Sequence, residues 1–190
     1  MGNCSMGEEG ASFRGFVASA TPPARTAIFE YMTVTVSSQF PCDRDTVVDY
    51  VNRFDTLAYI SHPLLKFTPV DPADFPFMWE ERRYIVSMRI LGMIPFGRQV
   101  IGVEKVRCDD PEEYIIRDNG SGDLVQTWDH WIFIRTTDDR GLTGYTDRIE
   151  IKAGLLTIPV WIFAQIFYRW RQRRWRRLIR NSFQPLAAER

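Results

Sequence analysis

From Leu64 to Ala153 apolar and polar residues alternate for most of the way with a period of two, while the segments on either side follow the three- and four-residue spacing of helices. The pattern opens with a strand at 29–39, in which Met32, Val34 and Val36 oppose Tyr31, Thr33, Thr35 and Ser37. Pro41 closes it. Asp43 or Asp45 then caps a helix with Val47, Val48, Tyr50, Val51 and Phe54 at helical spacing, and 56–61 adds a second short turn before His62-Pro63. Within the alternating stretch Tyr84, Val86, Met88 and Ile90 face one way and Arg83, Ser87 and Arg89 the other. Further strands are predicted at 98–107, 113–118, 124–136 and 142–153, separated by turn residues at 92–97, 109–111, 119–122 and 138–141.

The segment 154–183 reads as one long helix. Leu156, Val160, Phe163, Phe167, Trp170, the stem of Arg174 and Leu178 form its apolar stripe, and Pro159 is tolerated in the first turn. Because nearly everything before it is strand, the sheet must bury its apolar face against this helix. The expected architecture is α+β: a curved antiparallel sheet wrapped around a long C-terminal helix, with a short helical pair after the first strand. The expected division is a disordered lead-in at 1–27, one domain at 28–184 and a tail at 185–190.

Composition narrows the partners. With 190 residues, 45% hydrophobic and no formal net charge, the chain suits a single domain with a sizeable core. Its arginines crowd one helix and the strands carry no basic-aromatic platform, which argues against nucleic acid. Cys4, Cys42 and Cys108 are odd in number and widely spaced, pointing to a reducing cytoplasmic setting. The start Met-Gly-Asn-Cys-Ser is similar to an acylation signal through Gly2 and Cys4, but Met6 occupies the position favoured for a hydroxyl, so the plain tail is the preferred reading. No apolar run is long enough to span a bilayer.

The element order, the run Thr127-Trp128-Asp129-His130-Trp131, the run 144–150 and Phe167-Tyr168-Arg169 together resemble the START-like or Bet v 1-like superfamily, the helix-grip or polyketide cyclase/dehydrase-like proteins. The resemblance covers about 29–183. It implies a cavity between sheet and helix, used in that superfamily for lipids, sterols, polyketides or plant hormones, with some members cyclases and many only carriers. No catalytic signature of the superfamily is visible here.

Strand parity selects the cavity residues. Tyr145, Asp147, Ile149 and Ile151 form one face of the last strand, and Trp128, His130, Ile132 and Ile134 the matching face of the strand before it. A tight hairpin between them puts Ile132 opposite Asp147 and His130 on its diagonal. The expected lining is therefore Tyr84, Met88, Trp128, His130, Tyr145, Asp147, Phe163 and Phe167, around a void on the order of a few hundred Å³. Asp147 is either an anchor or acid/base partner for a ligand, or a buried carboxylate satisfied by Tyr145, His130, Arg171 or Arg174. His62 reads as an exposed turn residue, and neither a metal site nor a cofactor is expected.

The apolar 92–97 connection, with Met93, Ile94 and Phe96, reads as a lid or as extra core over the cavity mouth. Ile158, Trp161, Ile162 and Trp175 read as an outward surface for an anionic membrane or a partner. The function expected is binding or carriage of a hydrophobic small molecule, with a cyclase/dehydratase-like enzyme and an interaction module docking by its basic helix as alternatives.

Overall fold

A computed structural model of the protein describes residues 31–138 and 141–187, so the expected lead-in and the Gly2 and Cys4 acylation reading lie outside the described residues. Among the described residues seven antiparallel strands form one curved sheet: β1 Met32–Phe40, β2 Leu65–Asp71, β3 Arg83–Ile90, β4 Ile94–Val106, β5 Glu113–Gly122, β6 Thr127–Thr136 and β7 Thr143–Lys152. Strands β2 to β7 run as a meander, and β1 completes the sheet by pairing with β7. Between β1 and β2 lie helices α1 Arg44–Val51 and α2 Phe54–Ser61. Asp43 is the cap of α1, its Oδ1 accepting the Thr46 amide at 2.9 Å, while Asp45 lies inside the first turn.

The long helix α3 spans Thr157–Arg180 and is entered through a 3-10 turn at Gly154–Leu156. Its buried residues are Thr157, Val160, Ala164, Phe167, Tyr168, Arg171, Gln172, Trp175, Leu178 and Ile179. This stripe is rotated from the expected one: Trp170 and Arg174 lie half-buried beside it, and their places are taken by Arg171, Gln172 and Trp175. The helix stops in a Schellman turn, with the Phe183 amide bonded to Leu178 O at 3.0 Å and the Ser182 amide to Ile179 O at 2.9 Å. Ser182, at φ 48°, fills a position where glycine would be unstrained. The turn delivers Phe183 onto Tyr50 of α1, ring centroids 3.8 Å apart, and α4 Gln184–Ala187 follows with Leu186 buried.

Two expected turns are strands. Residues 119–122 continue β5, and their glycines serve close packing: a Cβ on Gly120 would meet the Trp128 and Val100 carbonyls, each at 2.9 Å. The apolar 92–97 segment is not a long loop either. Only 91–93 turn between β3 and β4, and Ile94 onward is ladder, because strand pairing can satisfy a backbone that alternates even where its side chains are all apolar.

Trp175 holds helix to sheet. It is fully buried, with its ring 5.8 Å from those of both Phe40 and Tyr145, which corrects its expected place on an outward surface. Trp175→Ala is expected to cost about 3–5 kcal/mol in chemical denaturation, the range for truncating a buried large aromatic; a loss under about 1 kcal/mol would rule out this anchoring role.

Candidate functional site

Strands β6 and β7 pair in the predicted register, with Ile132 opposite Asp147 and His130 opposite Ile149. Asp147 is wholly buried, and its oxygens are occupied. Oδ1 accepts from His130 Nε2 at 2.8 Å and from the Tyr145 hydroxyl at 3.3 Å, Oδ2 accepts from Gln172 Nε2 at 3.0 Å, and Arg171 approaches at 3.9 Å. Burial alone would raise the Asp147 pKa, but Arg171, His130 and Gln172 outweigh it and hold the carboxyl below its ordinary range. Burial lowers the His130 pKa despite Asp147, so the ring is neutral near pH 7. A neutral imidazole donating from Nε2 keeps Nδ1 as an acceptor.

Two cavities of about 60 Å³ each lie between α3, α2 and the sheet. One has walls that include Val51, Ile60, Trp79, Ile116 and Trp175; the other is walled by Met88, Phe96, Trp128, Phe163, Phe167 and Tyr168. Leu57, Ile101, Asp118, His130 and Arg171 border both. Asp118, His130 and Arg171 are thus on the shared side, while Thr56 and Arg117 border the first cavity alone and Gln99 the second. The void is smaller than expected and divided, with Leu57, Ile101, Asp118, His130 and Arg171 on the side that the two parts share.

Arg171 is 5% exposed. Its Nη2 donates to the Tyr145 hydroxyl at 3.2 Å, and its Nε has no hydrogen-bond partner. Burial opposes its charge, yet Tyr145 and Asp147 keep it a firm cation. Asp118, directly across the ladder from His130, accepts the Gly102 amide at 2.8 Å. Burial pushes its carboxyl up to about 7.

The expected lining residues therefore separate. Met88, Trp128, Phe163 and Phe167 border one cavity and His130 both, whereas Asp147 and Tyr145 stand behind the wall and orient what faces it. Tyr84 is buried behind Trp79, with its hydroxyl accepting the Glu80 amide at 3.0 Å, and borders neither cavity. Of the supposed lid, Phe96 borders a cavity while Met93 and Ile94 are 73% and 56% exposed. Ile158 and Ile162 are exposed, but Trp161 is half-buried and its indole N–H donates to Thr33 O at 2.9 Å, tying it to β1. His62 is exposed. Among the described residues no helix is long and apolar enough to cross a membrane.

Sequence reasoning missed Asp118 and named Arg171 only as one possible partner of Asp147. Parity along β5 marks the former, since Tyr114, Ile116, Asp118 and Gly120 share a face. Nothing in the helix pattern marked the latter beyond its spacing of four from Phe167 and from Trp175.

No family model and no curated protein matches the sequence. Solved structures match the fold. A START superfamily protein from Mycobacterium smegmatis superposes with a TM-score of 0.55 at 11% identity, over 79% of this chain and 98% of that one. A conserved protein from Geobacillus kaustophilus gives 0.53 at 14% over 80% and 97%, and a protein from Thermus thermophilus gives 0.54 at 11% over 80% and 99%. The fold is the START/Bet v 1-like helix grip.

The site sets the pH response. For Asp147 and His130 the folded pKa lies below the unfolded one, so the stability they contribute is present above the unfolded values and lost as pH falls. Asp118 acts oppositely: the unfolded chain releases its proton first, and stability is lost as pH rises from the ordinary 3.8 to about 7. Asp118→Asn is therefore expected to raise Tm relative to the parent at pH 8 by several degrees more than at pH 4.5. Thermal melts at both values check this, and an equal Tm difference at the two would refute it.

Proposed function

We propose that the protein binds a hydrophobic small molecule between α3 and the sheet, as a carrier or sensor. The observation that supports this reading is the shared wall: a buried guanidinium with an unpaired Nε, flanked by His130 and Asp118, faces two otherwise mostly apolar cavities. An unpaired buried donor is costly to a protein that leaves it empty. A ligand oxygen would satisfy it. The half-buried Phe96 and Phe163 border the cavity that Met88 and Trp128 also wall, and can swing to widen a void narrower than the sites of drug-sized molecules.

Binding is favoured over a cyclase/dehydratase-like reaction because Asp147 already commits both oxygens to His130, Tyr145 and Gln172, leaving it to orient its neighbours. Docking on a membrane through the helix is not part of the proposal, since Trp175 is interior and Trp161 is bonded to β1.

Native mass spectrometry of protein purified without denaturation is expected to show a retained small molecule. Met88→Trp, which fills one cavity, is expected to lower its occupancy at least tenfold with the far-UV circular dichroism unchanged. Protein free of any adduct that also fails to bind 8-anilinonaphthalene-1-sulfonate in its native state would exclude the reading.

A further inference from the structure

Resting on that reading, we infer that the ligand is an amphipathic acid: Arg171 holds its ionised head group, Met88, Phe163 and Phe167 enclose its apolar body, and the complex takes up one proton at Asp118. The guanidinium is the starting point. Its ion-pair contact with Asp147 is loose, at 3.9 Å, because that carboxylate is drawn instead to His130 and Gln172 at 2.8 and 3.0 Å. Arg171 therefore has a firm charge, a free Nε and a place on both cavity walls. A carboxylate is the complement of that donor geometry, and planar bidentate pairing is what arginine does better than any other cation.

The proton follows from counting charges. Asp118 accepts the Gly102 amide on β4, lies across from His130 on β6, and feels the charge of Arg171 and the neighbourhood of Tyr168 on α3, with Glu104 on β4 and Asp129 on β6 acting on it from the other face of the sheet. Glu104 and Asp129 are already paired with Arg117, which borders the first cavity only, at 3.1 and 2.8 Å, leaving Arg171 as the cation that borders both and has no such close carboxylate of its own. Seating an ionised acid there brings three carboxylates, those of the ligand, Asp147 and Asp118, around one guanidinium between α3 and the sheet. Like charges so confined cannot all ionise. Asp147 is locked as an anion by three donors, whereas Asp118 accepts one amide and burial pushes its carboxyl up to about 7, so Asp118 takes the proton. Its O–H then becomes a second donor beside the head group.

Titration calorimetry with three probes of equal tail length tests this: octanoate, octan-1-ol and octylammonium, each at pH 6 and pH 8. Octanoate is expected to bind at least tenfold tighter than the alcohol at pH 6, octylammonium weakest of the three. From pH 6 to pH 8 octanoate affinity is expected to fall about tenfold, the one-proton linkage for a group titrating near 7, with the alcohol unchanged. Asp118→Asn is expected to bind octanoate with no such fall. Arg171→Gln strips Asp147 of its cation and risks unfolding, so the head-group series on the unmodified protein carries the test. Alcohol binding as tightly as acid, acid affinity indifferent to pH, or a pH dependence that survives Asp118→Asn would each overturn the inference and leave hydrophobic binding standing. Failure of all three probes would overturn both.

Discussion

A carboxylate sealed from water stays ionised only where the protein replaces the hydration it has lost. Asp147 receives that replacement from three elements at once: His130 on β6, Tyr145 on its own strand, and Gln172 and Arg171 on α3. The bonds are mutually dependent. The imidazole can donate from Nε2 because Asp147 is an anion, and Arg171 can remain buried because the same anion lies within 3.9 Å. Hydrophobic contact alone would allow the helix to slide along the sheet by small amounts at small cost. The polar cluster sets one rotation and one height for α3, which in turn decides that Arg171 and Tyr168 border the cavities while Arg169 and Arg173 face water.

Indole N–H groups reinforce the same registration at the margins. Trp161 donates to Thr33 O, Trp170 to His62 O at 3.1 Å, and Trp128 to the Tyr168 hydroxyl at 3.2 Å. Each joins α3 to a different part of the molecule: β1, the end of α2 and β6. A half-buried tryptophan on this helix is accordingly a tie as much as an apolar contact.

Much of this is legible in the chain. Two-residue alternation marks the strands, and the parity of β6 and β7 places His130 beside Asp147, because a hairpin register admits little ambiguity when one face is apolar. The helix is harder. The largest apolar residues suggest one phase, yet the true inward stripe contains Arg171 and Gln172, which hydropathy assigns to solvent, and Ala164, whose small size permits close approach. That difference in phase puts Trp175 on the wrong side. Asp118 is hidden by the glycines after it: 119–122 look like a turn, and only the backbone spacing around Gly120 shows that they belong to a crowded ladder. The division of the void cannot be read from sequence at all, since it depends on how the side chains of α2, α3 and the sheet meet between the layers.

For the ligand proposed above, the position of Arg171 between two chambers would also set a stoichiometry. One guanidinium that borders both spaces can neutralise a single acidic head, so occupation of either side withdraws the charge that would attract an occupant to the other. For the acid proposed above, the two voids would thus be alternative resting places for one tail, reached from a common pivot. Such a molecule could pass its hydrocarbon from one side to the other without releasing its head, and the exchange would be read in the ring resonances of Trp79 and Phe163, which border one void each.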